Sequence, residues 1–98
     1  MSGHAGGSPL PEIIAHRGYS AAAPENTIAA LEAALRAGAR AVEVDVRTAS
    51  DGTPVLFHDV RLGRTTSGVG PLRRRTVGQL KSLDAGSWFS EEFEGERI

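Results

Sequence analysis

The 98 residues include no cysteine. That excludes a disulfide framework, a thiolate metal site and a cysteine nucleophile. Net charge is nearly absent too: 11 Lys and Arg against 12 Asp and Glu leave −1. Such a balance gives no electrostatic reason to expect nucleic acid or an anionic membrane surface as a partner. No apolar run approaches the roughly 18 residues that a membrane span requires. Residues 1–8 carry neither a basic segment nor an apolar one, so no secretory signal is expected and a cytoplasmic location is. Internal repeats and low-complexity tracts are missing as well. What is present is 40% apolar and 23% charged residues, a globular composition rather than a disordered one. The length suits one small domain or a piece of a larger one.

Residues 1–11 are Gly, Ser, Pro and Ala with a single histidine, His4, and are expected to form a flexible lead-in to a structured part over residues 12–98. Glu12-Ile13-Ile14-Ala15 is a short apolar run, bounded by Pro and Gly, that suits a buried strand. Residues 24–38 read as a helix. Asn26 or Thr27 can cap it, and Glu25 places negative charge near its start. Ile28, Leu31 and Leu35 share one face, supported by Ala30 and Ala34, and Gly38 is a natural stop. Residues 41–48 alternate strictly, with Val42, Val44 and Val46 on one face and Glu43, Asp45 and Arg47 on the other, as a strand does.

Asp51-Gly52 is a turn signal, and residues 54–58 are a third extended run. Strand, helix, strand is the start of a βαβ unit, so the first two strands are expected to be parallel. Only residues 49–53 separate the second strand from the third run. A parallel pairing needs a crossover of roughly a dozen residues or more, so this pair is expected to be an antiparallel hairpin. Residues 61–75 are rich in Gly, Thr, Ser and Arg and read as a loop, with Arg73-Arg74-Arg75 on its solvated face. Residues 76–83 form a short helix capped by Thr76, with Val77, Leu80 and Leu83 on its apolar side. Trp88, Phe89 and Phe93 need something to pack against, as core or interface aromatics. These elements leave a parallel edge strand open, whereas parallel sheets are normally covered on both faces. The chain is therefore expected to be part of a domain.

Polar groups stand where strands end or where apolar residues belong. Glu43 and Asp45 at i and i+2 put two carboxylates on one face, about 7 Å apart along the backbone. Like charges there repel unless a cation lies between them, and Ca²⁺ and Mg²⁺ take carboxylate oxygens. The plainer alternative is the exposed polar face of a half-buried strand. A strand in a βαβ unit is usually buried on both faces, which counts against that alternative. His16 and His58 both end extended segments, and histidine is the usual acid–base residue near neutrality. Each alone reads equally as a structural hydrogen-bonder. Arg17 offers a planar donor fork suited to a phosphate oxygen, or is an ordinary surface arginine.

His16-Arg17-Gly18, Pro24-Glu25-Asn26-Thr27, Glu43-Val44-Asp45, Asp51-Gly52, His58-Asp59, Arg64-Thr65-Thr66 and Leu83-Asp84-Ala85-Gly86 occur in one order and spacing. Each is weak alone. As an ordered set the chain resembles the glycerophosphodiester phosphodiesterase family, from Ile13 to Ile98. The resemblance implies an α/β fold, a TIM (β/α)8 barrel of the phospholipase-C-like phosphodiesterase type. Such barrels run to about 250 residues, so residues 12–98 would be its N-terminal portion. It implies a metal-dependent hydrolase that cleaves glycerophosphodiesters to sn-glycerol 3-phosphate and an alcohol, in lipid and glycerol metabolism.

By the same resemblance, His16 and His58 are the general acid–base pair and Arg17 binds the substrate phosphate. Glu43 and Asp45 become two ligands of a divalent metal, Ca²⁺ or Mg²⁺. The substrate's own glycerol hydroxyl would attack phosphorus, and water would open the resulting cyclic phosphate. A third carboxylate ligand and a nearby lysine are expected beyond Ile98. The isolated chain is accordingly expected to be inactive or nearly so. The partner implied is a small-molecule diester, with no nucleic acid and no membrane span. A related barrel phosphodiesterase of the phosphatidylinositol phospholipase C or lysophospholipase D type is a second enzyme reading, but residues 24–27 and 64–66 fit the glycerophosphodiester branch better. The alternative of another class is a non-catalytic metal-binding or interaction remnant.

Overall fold

The computed structural model describes residues 14–98, together with the backbone of His4–Ala5 and Ser8–Pro9, which pair antiparallel. The rest of the expected lead-in, and Glu12 and Ile13 of the expected first strand, lie outside the described residues. Strand β1 (Ile14–His16) runs parallel to β2 (Ala41–Glu43), with His16 directly opposite Glu43. Helix α1 (Ile28–Arg36) makes the crossover between them, which completes the expected βαβ start.

Of the two candidate caps of α1, Thr27 does the capping. Its hydroxyl accepts from the Ala30 amide at 3.2 Å and donates to the Pro24 carbonyl at 2.7 Å. At the other end Gly38 takes a φ of +86°, and the next amide, Ala39, returns to the Ala34 carbonyl at 3.0 Å. A glycine carries that left-handed turn without a Cβ clash. The buried face differs from the one that periodicity suggests. Ala30, Ala33 and Ala34 are buried, whereas Ile28 is 61% and Leu35 73% exposed. The reason is close approach of backbone to helix: a Cβ on Gly18 would lie 2.7 Å from the Ala30 Cβ, and the Tyr19 amide donates to the Ala30 carbonyl at 2.9 Å. Only small side chains permit that contact.

Residues 41–48 do not form one strand. They break at Val44 and Asp45 into β2 and β3 (Val46–Thr48), because the pairing partner changes. β2 pairs with β1, while β3 pairs antiparallel with β4 (Pro54–Leu56), Val46 opposite Leu56. Asp45 at the break spends its amide on the Asn26 side chain at 3.2 Å and its carbonyl on the Phe57 amide at 2.9 Å. The antiparallel hairpin is as expected, and Gly52 turns it with a φ of +87°. Burial on both faces is not: Val42, Val46 and Glu43 are all exposed.

The main apolar core forms between the hairpin and the residues that follow it. Ala49, Phe57, Leu62, Leu72 and Leu80 are buried together, with Val55, Val77, Leu83 and Ile98 packed against them. Residues 61–75 are a loop, as expected, but one that folds inward at Leu62 and Leu72, joined by an Arg61–Pro71 bridge and a single 3-10 turn, Leu72–Arg74. Arg73 and Arg74 face solvent. Helix α2 (Val77–Lys81) starts with a full capping box. The Thr76 hydroxyl accepts from the Gln79 amide, and the Gln79 side chain accepts from the Thr76 amide, so two orphan donors are satisfied at once.

The Asp84 carboxylate then accepts from the Ser87 hydroxyl at 2.6 Å and from the Ser87, Gly86 and Gly95 amides. The Ser87 bonds lead in holding this carboxyl well below the usual carboxylate range. A Cβ on buried Gly86 would overlap the Phe93 carbonyl, so no other residue fits. Trp88, Phe89 and Phe93 pack on one another edge to face, with centroids 5.6 and 5.7 Å apart. The parallel pair and the hairpin close no barrel.

Candidate active site

The C-terminal ends of β1 and β2, the break at Asp45 and the end of the hairpin arm converge on one rim. At its centre is Arg17, which has a φ of +56°. For a residue with a Cβ that conformation costs of order 1–3 kcal/mol. The turn is held by bonds at both sides: the Arg17 amide donates to Glu43 Oε1 at 3.2 Å, and the Arg17 carbonyl accepts from the Asn26 amide at 2.9 Å. Asn26 is itself left-handed, with a φ of +60°. Its buried amide side chain then pairs with Asp45 twice, Nδ2 donating to Oδ2 at 3.1 Å and Oδ1 accepting from the Asp45 amide. The residue read as a possible helix cap is thus the strut between the first loop and β2.

The strand register explains the first pair of candidate side chains. His16 Nε2 lies 3.4 Å from Glu43 Oε1. Arg17 Nη1 donates to Glu25 at 3.3 and 3.4 Å, and Arg17 Nε lies 3.3 Å from Asp45 Oδ2. That Nε is buried and its N–H is not aimed at any acceptor among the described residues. Proximity without alignment makes the contact an ion pair rather than a hydrogen bond. Glu43 and Asp45 each use one oxygen in these contacts. Glu43 Oε2 and Asp45 Oδ1 accept no hydrogen bond from the described residues.

His58 is reached from the hairpin arm. Arg47, on β3, donates through Nε to the His58 carbonyl at 2.9 Å and fixes the backbone there. His58 Nδ1 lies 2.7 Å from Asp59 Oδ1. Arg64 then donates to Asp59 through Nε and Nη2, both at 2.9 Å, and to Glu25 through Nη2 at 2.8 Å and Nη1 at 3.3 Å. The Arg64 guanidinium, then His58, holds the Asp59 carboxyl far below its usual range. Asp59, then Glu25, makes Arg64 still harder to deprotonate.

Glu25, His58 and Asp59 bring ligand-type atoms within 4.8 Å of one another, a spacing that suits a metal ion. In this structure the Arg64 guanidinium is the cation that bridges both carboxylates of that group. Sequence reasoning named His16, Arg17, Glu43, Asp45 and His58. It assigned Glu25 to the helix start and gave no role to Asp59 or Arg64. The signal available was the adjacency in His58-Asp59 and an arginine five positions on at Arg64.

The glycerophosphoryl diester phosphodiesterase family model matches residues 16–98. A glycerophosphodiester phosphodiesterase from Caldanaerobacter subterraneus subsp. tengcongensis is 49% identical over 86 residues, covering 88% of this chain and 35% of that protein. Human glycerophosphodiester phosphodiesterase 1 is 46% identical over 87 residues, covering 87% of this chain and 26% of that protein. The chain thus spans about a third or less of the length of these curated relatives. Among solved structures, an Agrobacterium tumefaciens glycerophosphodiester phosphodiesterase superposes with a TM-score of 0.88 at 43% identity, over 91% of this chain and 38% of that one. An Oleispira antarctica phosphodiesterase in complex with the product sn-glycerol-3-phosphate superposes with a TM-score of 0.87 at 50% identity, over 91% and 36%. No helix of the described residues is long and apolar enough to cross a membrane. The chain belongs to the glycerophosphoryl diester phosphodiesterase family, and its fold is the incomplete N-terminal part of that family's TIM barrel.

Proposed function

We propose that the protein carrying this chain hydrolyses glycerophosphodiesters to sn-glycerol 3-phosphate and an alcohol, using His16 and His58 as its acid–base pair. The observation that carries the reading is the convergence of His16, Arg17, Glu43 and Asp45 on one rim at the ends of parallel strands, where barrel enzymes place their chemistry. The related Oleispira protein, with sn-glycerol-3-phosphate as product, supports the substrate class. The reaction forms a bond from the glycerol hydroxyl to phosphorus and breaks the bond to the leaving alcohol. One histidine takes the hydroxyl proton and the other gives a proton to the alcohol. Water then opens the cyclic phosphate. In this reading the Arg17 guanidinium donates to a phosphate oxygen and offsets its charge.

A divalent cation, Ca²⁺ or Mg²⁺, fits the donor set. Glu43 Oε2 and Asp45 Oδ1 are hard oxygen donors without hydrogen bonds from the described residues. Glu43 and Asp45 would hold the ion, and a third carboxylate would come from outside this chain. Such an ion supplies Lewis-acid stabilisation of charge at phosphorus and a lowered hydroxyl pKa. Two protein carboxylates alone bind it weakly, so the isolated 98-residue chain is inactive or nearly so. The location we propose is cytoplasmic.

The test begins with the intact mass of the protein as its own cells make it, followed by assay of that form on glycerophosphocholine. Release of sn-glycerol 3-phosphate that stops on chelation and returns with Ca²⁺ or Mg²⁺ is the expected result. Hydrolysis that persists in the double variant H16A/H58A, or none by a protein of full barrel length, overturns the reading.

A further inference from the structure

We propose that Arg64 is a positioning residue that fixes His58 through Asp59 while anchored on Glu25, so that one guanidinium locks the hairpin arm to the first strand's loop. This rests on the role proposed for His58. The geometry has three parts. Arg64 makes a side-on fork to Asp59, with Nε to Oδ2 and Nη2 to Oδ1 both at 2.9 Å. Nη2 and Nη1 also reach the two oxygens of Glu25, at 2.8 and 3.3 Å. The Glu25 side chain is 10% exposed and binds Arg17 on its other side, at 3.3 and 3.4 Å. A planar five-donor group can serve two carboxylates at once, which a single ammonium cannot do with the same directionality.

The consequence falls on the imidazole. With both oxygens of Asp59 held by Arg64, Oδ1 faces His58 Nδ1 at 2.7 Å. An ionised carboxylate only accepts, so Nδ1 carries the proton and Nε2 is left as the reacting nitrogen. Without Arg64, Asp59 faces Glu25 with one oxygen of each within 4.8 Å and with Arg17, on Glu25, left to offset the two charges in part. Their repulsion turns Asp59 away or protonates it, and in either case Oδ1 is lost as the acceptor that sets the tautomer.

The experiment reads the His58 tautomer directly. Long-range proton–nitrogen correlation spectra of the imidazoles are recorded on the protein in the form its cells make, with His58 assigned by H58Q. Wild type, D59N, R64Q and R64K are compared, and kcat and KM are measured beside them. The wild type is expected to hold neutral His58 in the Nδ1–H form. D59N and R64Q are expected to shift it toward Nε2–H, with kcat about 10–100-fold lower in R64Q and KM changed less than about threefold. R64K is not expected to restore either readout. A tautomer unmoved in R64Q overturns the proposal. So does an R64K protein that matches wild type, since charge alone would then suffice. Should R64Q lose the native imidazole pattern, R64K decides: a shifted tautomer supports the fork and an unshifted one sinks it. If no hydrolysis is found at all, the functional reading fails while the tautomer comparison still judges the clamp.

Discussion

Two regions of this molecule solve opposite problems. From the hairpin turn onward, residues 49–98 pack apolar side chains together: Phe57, Leu62, Leu72 and Leu80 close on one another, and α2 caps itself. The βα unit of residues 14–43 instead buries alanines with Pro24, Asn26 and Thr27, and turns Ile28, Leu35 and Val42 outward. A parallel sheet with helices on one side needs further layers to be covered. Yet it is the open unit that places His16, Arg17 and Glu43, with Asp45 just beyond it. The packed region contributes the histidine arm and the clamp that ties it back. Most of the apolar packing thus lies in one stretch of the chain, while both stretches supply side chains to the candidate site and Phe93 joins them by packing on Ala23, Ala30 and Ala33.

That division makes distinct predictions. The largest effect is on catalysis from the open unit. In the protein as its cells make it, H16A is expected to lower kcat about 10²–10⁴-fold, with little change in unfolding midpoint because the side chain is exposed. A large loss of stability with preserved kcat would erase the contrast. Next comes packing. Leu80 is fully buried, so L80A is expected to cost about 2–5 kcal/mol in a denaturant titration while KM stays near wild type in the fraction that remains folded.

The pH dependence of the clamp follows. Asp59 is held low by Arg64 first and His58 second. A carboxyl depressed on folding contributes stability above its unfolded pKa, and that stability is lost as pH falls through the folded value. The stability contributed by Asp59 is therefore expected to persist through neutral pH and fade only below the usual carboxylate range of about 4. D59N should flatten that acid limb of the midpoint-against-pH curve, and an unchanged limb would mean that Arg64 does not stabilise the fold through Asp59. The smallest effect is expected at Leu35, which is 73% exposed. In the 98-residue chain, L35A should change stability by less than about 0.5 kcal/mol. A loss several times larger would show that this face is covered in the isolated chain, as by a second copy of it.

Much of the architecture was legible because it is local. The extended character of residues 41–48, the Asp51-Gly52 turn and the Thr76 cap each encode their geometry within a few residues, and the short spacing before Pro54 permits only an antiparallel return. Periodicity misplaced the buried face of α1 because it ranks Ile28, Leu31 and Leu35 by size. The deciding factor was the approach of Gly18 to Ala30, a contact distant in sequence. It also joined β2 to β3, since nothing local announces that the pairing partner changes at Asp45. Within the site, the ordered motifs drew attention to His16, Arg17, Glu43, Asp45 and His58. Glu25 was read as a helix-start charge, a sound local argument that an ion pair with Arg17 and Arg64 supersedes.

By itself the amino-acid sequence determined the element types, the hairpin, the family and the set of chemically able side chains. All of these depend on residue identity and short spacing. Only the tertiary structure decided which of those side chains meet. His16 finds Glu43 through parallel register, Asn26 braces Asp45 from a left-handed turn, and Arg64 spans Asp59 and Glu25 across 39 positions of sequence. Such contacts between charged groups depend on distances of a few ångströms that chain folding sets and that no local pattern contains.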